Sequence, residues 1–263
     1  MYWIKLIGAF MRASAQEELA YRENFWMQVL HSLLNLGVGV LGMSVLFGQV
    51  RQISGWDFAS ALAILGVYLV VSALRGLFIG PSLEALAGLG QEIWNGNFDF
   101  TLLRPANTRF LVTFRRWRFF ALFDLLLGVG VLAVAVSRAQ QTISLVNWLM
   151  FGLALLSAVV LLYATLLAFT SLAFRSPGMV FTWVFDAVFQ LARYPVQIYP
   201  PALRFTLTWL VPVGMMTSIP AQALTGQLNG WTLAGGIALA AGLLVGASWV
   251  FDRATRRYTS ASS

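Results

Sequence analysis

The stretch "RYPVQIYPPALRFTLTWLVPVGMMTSIPAQALTGQL", Arg193 to Leu228, is apolar enough to enter a membrane, yet Pro195, Pro200, Pro201, Pro212 and Pro220 interrupt it. A proline inside a helix costs about 3 kcal/mol, so this piece cannot cross as one uninterrupted helix. Whether it crosses at all fixes the number of spans and the side on which the chain ends. The surrounding sequence sets the terms. Of 263 residues, 59% are hydrophobic and only 10% charged, with a mean hydropathy of +0.77. A soluble domain carries about 25% charge, too much more for this chain to be one. Apolar runs of roughly 20 residues point to membrane-spanning helices, and their continuity excludes the alternating pattern of a membrane β-barrel.

If the proline-rich piece turns back, six spans remain. They are about Phe25–Gly48, Phe58–Ile79, Phe119–Ser137, Leu145–Ala173, a fifth from behind Arg175–Gly178 to about Leu191, and Trp231–Phe251. Lys5 and twelve arginines then share one side, against Arg51, Arg138, Arg193 and Arg204 on the other, a split of 13 to 4. Were the piece to cross, Arg253, Arg256 and Arg257 would change sides, giving 10 to 7. Basic residues collect on the cytoplasmic side, and non-helical backbone at membrane depth needs protein or water to shield it. Residues 193–226 are therefore expected to form a re-entrant or interfacial pair of short helices on the outer side, with both termini cytoplasmic. The net charge of +7 belongs to these flanking anchors rather than to a nucleic-acid surface.

Residues 1–24 place Trp3, Leu6, Ile7 and Phe10 on one helical face and Lys5, Arg12 and Gln16 away from it. This is the pattern of an amphipathic helix lying in the interface. "ASAQ" (Ala13–Gln16) looks like a signal-peptide cleavage site, but the apolar core before it, Leu6–Met11, is too short for one. The expected organisation is all-α: an interfacial helix over 1–24 and a six-span domain over 25–263. Within that domain lie a cytoplasmic connector at 81–118 and the outer re-entrant segment at 193–226. Trp26, Trp56, Trp94, Trp117, Trp148 and Trp231 lie near span ends, as an interfacial belt. Ala234, Ala238, Gly242 and Gly246 form a small-residue row for close helix packing.

Catalytic chemistry is scarce. No Gly-rich loop carries a phosphate-binding lysine, since Lys5 is the one lysine. His31 is the one histidine and cysteine is absent, which leaves neither a His/Cys metal set nor a disulfide framework. His31 and Ser32 are sequence neighbours and point in different directions on a helix, so His31 reads as a polar contact between helices. Asp124 and Asp186 lie inside apolar runs, where a carboxylate is costly and marks a functional candidate. Asp124 is six residues past Arg118, about 9 Å along a helix, and so within reach of the basic rim. Asp186 is deeper and faces either a cavity or another helix. An enzyme is the least supported class.

The connector mixes leucines with Glu84, Glu92, Asp99 and Arg104, breaks at Asn95-Gly96, and leads through Leu102 and Leu103 into Arg104-Pro105, where proline biases Arg104 away from helix. It reads as short surface helices offering acids and leucines to something outside the bilayer.

Here the chain resembles the ABC-2-type permeases, in the branch with a G-x-x-D-x-x-L-L-R-P motif: Gly96, Asp99, Leu102, Leu103, Arg104 and Pro105. Further matches are "YREN" (Tyr21–Asn24), "RYPVQIYP" (Arg193–Pro200), "VPVGMMTSIPA" (Val211–Ala221) and "RRYTSASS" (Arg256–Ser263). The resemblance implies the membrane subunit of an exporter like those called type V. Its parts would be six spans, an N-terminal interfacial helix, a coupling helix between the second and third spans, and outer re-entrant helices before the sixth. Two such permeases, identical or related, would sit on two P-loop ATPase subunits in a bacterial cytoplasmic membrane. ATP and Mg would then be bound by the partner, with no cofactor in this chain. Glu84, Glu92, Asp99, Arg104 and Pro105 become the ATPase-coupling candidates, and Asp186, Asp124 and His31 candidates for the substrate path. The alternative is an ion-coupled secondary transporter using Asp124 and Asp186, although no convincing internal repeat supports it.

Overall fold

The computed structural model describes residues 2–88, 92–139, 143–176 and 181–258. Among these, five helices are long and apolar enough to cross a membrane: Glu23–Gly48, Phe58–Ala87, Ala121–Arg138, Leu145–Ala173 and Gly230–Arg256. The chain begins with α1 (Tyr2–Ala20) and turns at Tyr21 into α2 (Arg22–Gly48). Ser54 (φ 51°) and Gly55 (φ 85°) then reverse it through the left-handed region, a conformation that glycine adopts without strain. Asp57 caps the next helix by accepting from Ser60 N–H at 2.9 Å.

That helix, α3 (Phe58–Leu74), is the centre of the bundle. Thirteen of its 17 residues are buried, as expected of a helix that is hydrophobic all round. It packs against α7 (Ala121–Arg138), α11 (Val213–Leu224) and α2. Contact with α7 is close because of Gly128: a Cβ there would stand 2.8 Å from the Val70 backbone nitrogen. A second pair, α8 (Leu145–Ala173) and α12 (Gly230–Arg256), packs along its length and holds α11 against α8. Ser144 and Asn229 cap these two helices through Asn147 and Thr232 N–H.

At Arg75 the α3 helix widens into a π turn, Arg75–Ile79, before continuing as α4 (Gly80–Ala87). The connector then folds back over α4 through α5 (Asp99–Leu102) and α6 (Thr108–Phe114), and Arg118 N–H donates to the Leu77 carbonyl inside the π turn at 2.9 Å. Residues 89–91 of the expected connector lie outside the described residues. α1 does not stand apart from this layer. Ser14 Oγ accepts from Trp117 N–H at 3.0 Å, Glu18 Oε2 accepts from Phe119 N–H at 2.8 Å, and Trp3 meets Phe110 edge to face. Burial pushes the Glu18 carboxyl above its ordinary range, against the pull of the Phe119 and Phe120 N–H groups.

The expected fifth span is described only in part. Its first residues, 177–180, are outside the described ones. The described part consists of α9 (Phe181–Gln190), ten residues, and a single 3-10 turn, Leu191–Arg193. Together these reach about 20 Å, less than the roughly 30 Å of a hydrocarbon core. Pro195 and Pro200 prevent the helix from running on. The proline-rich piece then forms α10 (Pro201–Phe205) with a π turn to Leu210, bent by 86° against α11. Among the described residues, a sixth helix or helix pair apolar and long enough to cross exists only if this bent pair is one broken span.

Gly128→Leu should force α7 off α3 and lower stability in detergent by about 1–3 kcal/mol, seen as a reduced thermal midpoint, whereas Gly130→Leu, with open space beside it, should leave the midpoint unchanged. Docked α1 binds the Glu18 proton more tightly than released α1 does. Its docking should therefore be firmest below the ordinary carboxylate pKa and loosen as pH rises through the raised one. Proteolysis of α1 across roughly pH 4 to 8 tests this, with Glu18→Gln expected to flatten the profile.

Candidate functional site

Three of the apolar helices carry a polar stripe at the same spacing. Gln28, Ser32 and Asn35 on α2, Tyr68, Ser72 and Arg75 on α3, and Asp186, Gln190 and Arg193 on and after α9 each follow i, i+4, i+7. That spacing puts each set on one helical face, and the fold turns the three faces toward one another. Two adjoining cavities result. One, of about 430 Å³, is lined by Asn35, Tyr68, Ser72, Arg75, Asp186, Gln190 and Arg193. The other, about 220 Å³, extends from Ser72 and Arg75 to Gln28, Glu84, Arg118 and Asp124. His31 lies in the wall of both.

Arg75 holds this seam together. Its Nη2 reaches Asp186 Oδ1 at 2.5 Å and Glu84 Oε1 at 3.1 Å, and its guanidinium lies over the Phe185 ring. Arg118 meets the other oxygen of Glu84 at 3.6 Å. The π turn matters here because it starts at Arg75, where such turns commonly mark functional positions in helices. Asp124 accepts from Gln28 Nε2 at 3.0 Å rather than from a cation. Arg193, an outer-surface anchor by its place in the sequence, lies instead at membrane depth. It donates to Asn35 Oδ1 at 3.0 Å and Tyr68 OH at 3.4 Å, and Asn35 is the midpoint of α2.

The coupling candidates separate into two groups. Glu92 is only 7% exposed and is clamped by Arg115 Nη2 at 2.5 and 2.6 Å and by Arg116 Nη2 at 3.1 Å. Arg115 Nη1 also donates to Thr101 on α5 at 3.0 Å, and Ser82 Oγ on α4 accepts from Arg116 N–H at 2.8 Å. Glu84 is likewise engaged, with Arg75 and Arg118. These two acids therefore face inward, because arginine partners lie in the returning strand of the connector. Gly96 (φ 72°) turns the chain into α5, which begins at Asp99. Beyond it Leu102, Leu103, Arg104 and Pro105 form an exposed tip, with Leu103 80% and Phe100 67% exposed. Phe98 anchors the tip from beneath, against Phe174 and Tyr258.

Sequence reasoning singles out Asp124, Asp186 and His31 but misses Arg75, Arg193, Asn35 and Tyr68. The repeated i, i+4, i+7 spacing is the signal that could have found them. No cluster of three His, Asp or Glu side chains suited to a metal ion occurs among the described residues.

Long apolar helices around a polar seam define a multi-pass membrane protein. Residues 33–262 match the family model described as ABC-2 family transporter protein, and the chain belongs to that family. Neither the curated proteins nor the solved structures compared with it gave a match.

Removing Arg75 leaves Glu84 with Arg118 alone and Asp186 with no ion-pair partner among the described residues. Arg75→Gln should cost more stability than Asp186→Asn, by about 1 kcal/mol or more, and the double variant should recover part of the loss. Thermal unfolding of the three purified proteins checks this.

Proposed function

We propose that this chain is the membrane-spanning permease of an ATP-binding-cassette exporter, forming the translocation path and driven by separate P-loop ATPase subunits. The observation that carries the reading is a pair of polar contact runs that meet on α4, one from beneath the exposed tip and one from the internal seam. The first passes from Thr101 through Arg115, Glu92 and Arg116 to Ser82 on α4, and the second from Glu84 on the same helix to Arg75 and Asp186. A push on the tip is delivered to α4 as a rigid displacement and reaches α9 through Arg75. The seam, with its two cavities, is the path's polar lining, and His31, Asp124 and Asp186 belong to it.

Glu84 and Glu92, expected from the sequence as docking contacts, act on this reading as internal braces. The contact with the ATPase falls to Phe100, Leu102, Leu103, Arg104 and Pro105, with Asp99 at the start of α5. The tip and both termini are cytoplasmic in a bacterial inner membrane. With Arg193 and Arg75 both set among the helices, the flanking cations divide 12 against 3, in favour of that orientation. The complex holds two ATPases and a second permease, a copy or a relative. Ion coupling through Asp186 is the weaker reading, because a fixed counter-charge, Arg75, already occupies that carboxylate.

Purification in mild detergent from cells making the full complex tests the proposal. A P-loop ATPase should co-purify with the wild-type chain. Leu103→Asp and Arg104→Glu should lower its recovery about ten-fold while the permease still inserts. A wild-type preparation free of ATPase, or tip variants that retain it fully, would sink the reading.

A further inference from the structure

We infer that the cavity beside Arg193 takes the anionic head group, phosphate or carboxylate, of an amphiphile with an apolar tail. This rests on the permease reading and adds a substrate class to it. Arg193 stands level with Asn35, thirteen residues from each end of α2, so its charge sits where a membrane tolerates cations least. Its partners are neutral: the Asn35 amide oxygen, the Tyr68 hydroxyl and the face of the Tyr68 ring at 5.3 Å. Among the described residues no carboxylate comes within 4.0 Å of it. Its Nε is buried and lacks an acceptor. Both bonds use Nη2, which leaves the remaining N–H groups of the guanidinium fork for a ligand.

The nearby acids do not supply that ligand. Asp186 and Glu84 are held by Arg75, and Asp124 lies in the adjoining cavity against Gln28. The cation of the larger cavity that lacks a carboxylate partner among the described residues is therefore Arg193, since Arg75 is matched by Asp186 and Glu84. A cationic cargo, which two buried acids would suggest, meets repulsion there. Beside His31, Ser72 and Gln190 the wall also carries Leu34, Val38 and Phe189, an apolar part that suits an alkyl chain rather than a small hydrated ion. A guanidinium fork beside an apolar wall distinguishes an anionic amphiphile from free phosphate and from a cationic amphiphile alike.

The test uses the purified complex in neutral detergent without ATP. Radiolabelled dodecyl phosphate is bound and displaced by unlabelled dodecyl phosphate, dodecyltrimethylammonium or inorganic phosphate. Dodecyl phosphate should compete at least about ten-fold better than either of the others, the scale of a charge-assisted hydrogen bond. Arg193→Gln should abolish that preference and Arg193→Lys retain most of it. Asn35→Asp sets a carboxylate beside the guanidinium while removing no packing, and should abolish it too, so the test stands even if Arg193→Gln does not fold. Equal competition by the cationic amphiphile, or undiminished binding in Asn35→Asp, overturns the inference. Competition by inorganic phosphate equal to that by dodecyl phosphate overturns the assignment to an amphiphile. Because ATP is absent, this binding can fail while an ATPase still co-purifies, and an ATPase can be missing while the binding holds.

Discussion

Arg75 is the constraint on which the interior depends. A guanidinium inside an apolar bundle is tolerable only with its charge matched, and the fold supplies two carboxylates, Asp186 from α9 and Glu84 from α4. Satisfying both fixes where α9 stands beside α3 and how α4 leaves it. The π turn is part of the same arrangement, since it begins at Arg75 and gives up the Leu77 carbonyl to the connector through Arg118 N–H. One side chain thus ties a membrane helix, the bend after it and the surface layer beyond.

The surface layer is braced by the same kind of chemistry. Glu92 gathers Arg115 and Arg116, and through them α4, α5 and the returning strand, so the tip is built on a buried ion cluster rather than on a large core. α1 adds a second attachment by bonding the backbone of that strand from the other side. Exposed leucine and phenylalanine at the tip are tolerated because Phe98, just beneath, is fully buried among aromatic rings.

The long spans are legible because an apolar run of membrane length has few other uses, and the bend at 211–212 is legible because proline disfavours a helix interior, although Pro220 is accommodated inside α11. The 3-10 end of α9 is harder to see: hydropathy does not say where a helix yields to that geometry. Depth is the main thing the sequence withholds. Arg193 follows an apolar run, as an interfacial anchor would, and only the packing of Tyr68 and Asn35 against it reveals that it faces the middle of two spans. The inward turn of Glu84 and Glu92 is hidden for a related reason. Arg115, Arg116 and Arg118 are more than 20 residues away from both in sequence, and charge spacing at that range carries no pairing information.

The polarity of α9 also bears on how the chain is made. A ten-residue helix bearing Asp186 and followed by Arg193 is a poor candidate to partition into lipid alone, since each charge at the bilayer centre opposes insertion by about 2.5–3.5 kcal/mol. Its neutralising and hydrogen-bonding partners, Arg75, Asn35 and Tyr68, all lie on α2, α3 and the π turn that follows α3, which leave the ribosome more than 100 residues earlier. The order of synthesis therefore places a finished polar cleft in the membrane before the segment that needs it arrives. Moving α9 ahead of α2 by circular permutation would keep every contact of the folded state and remove that advantage.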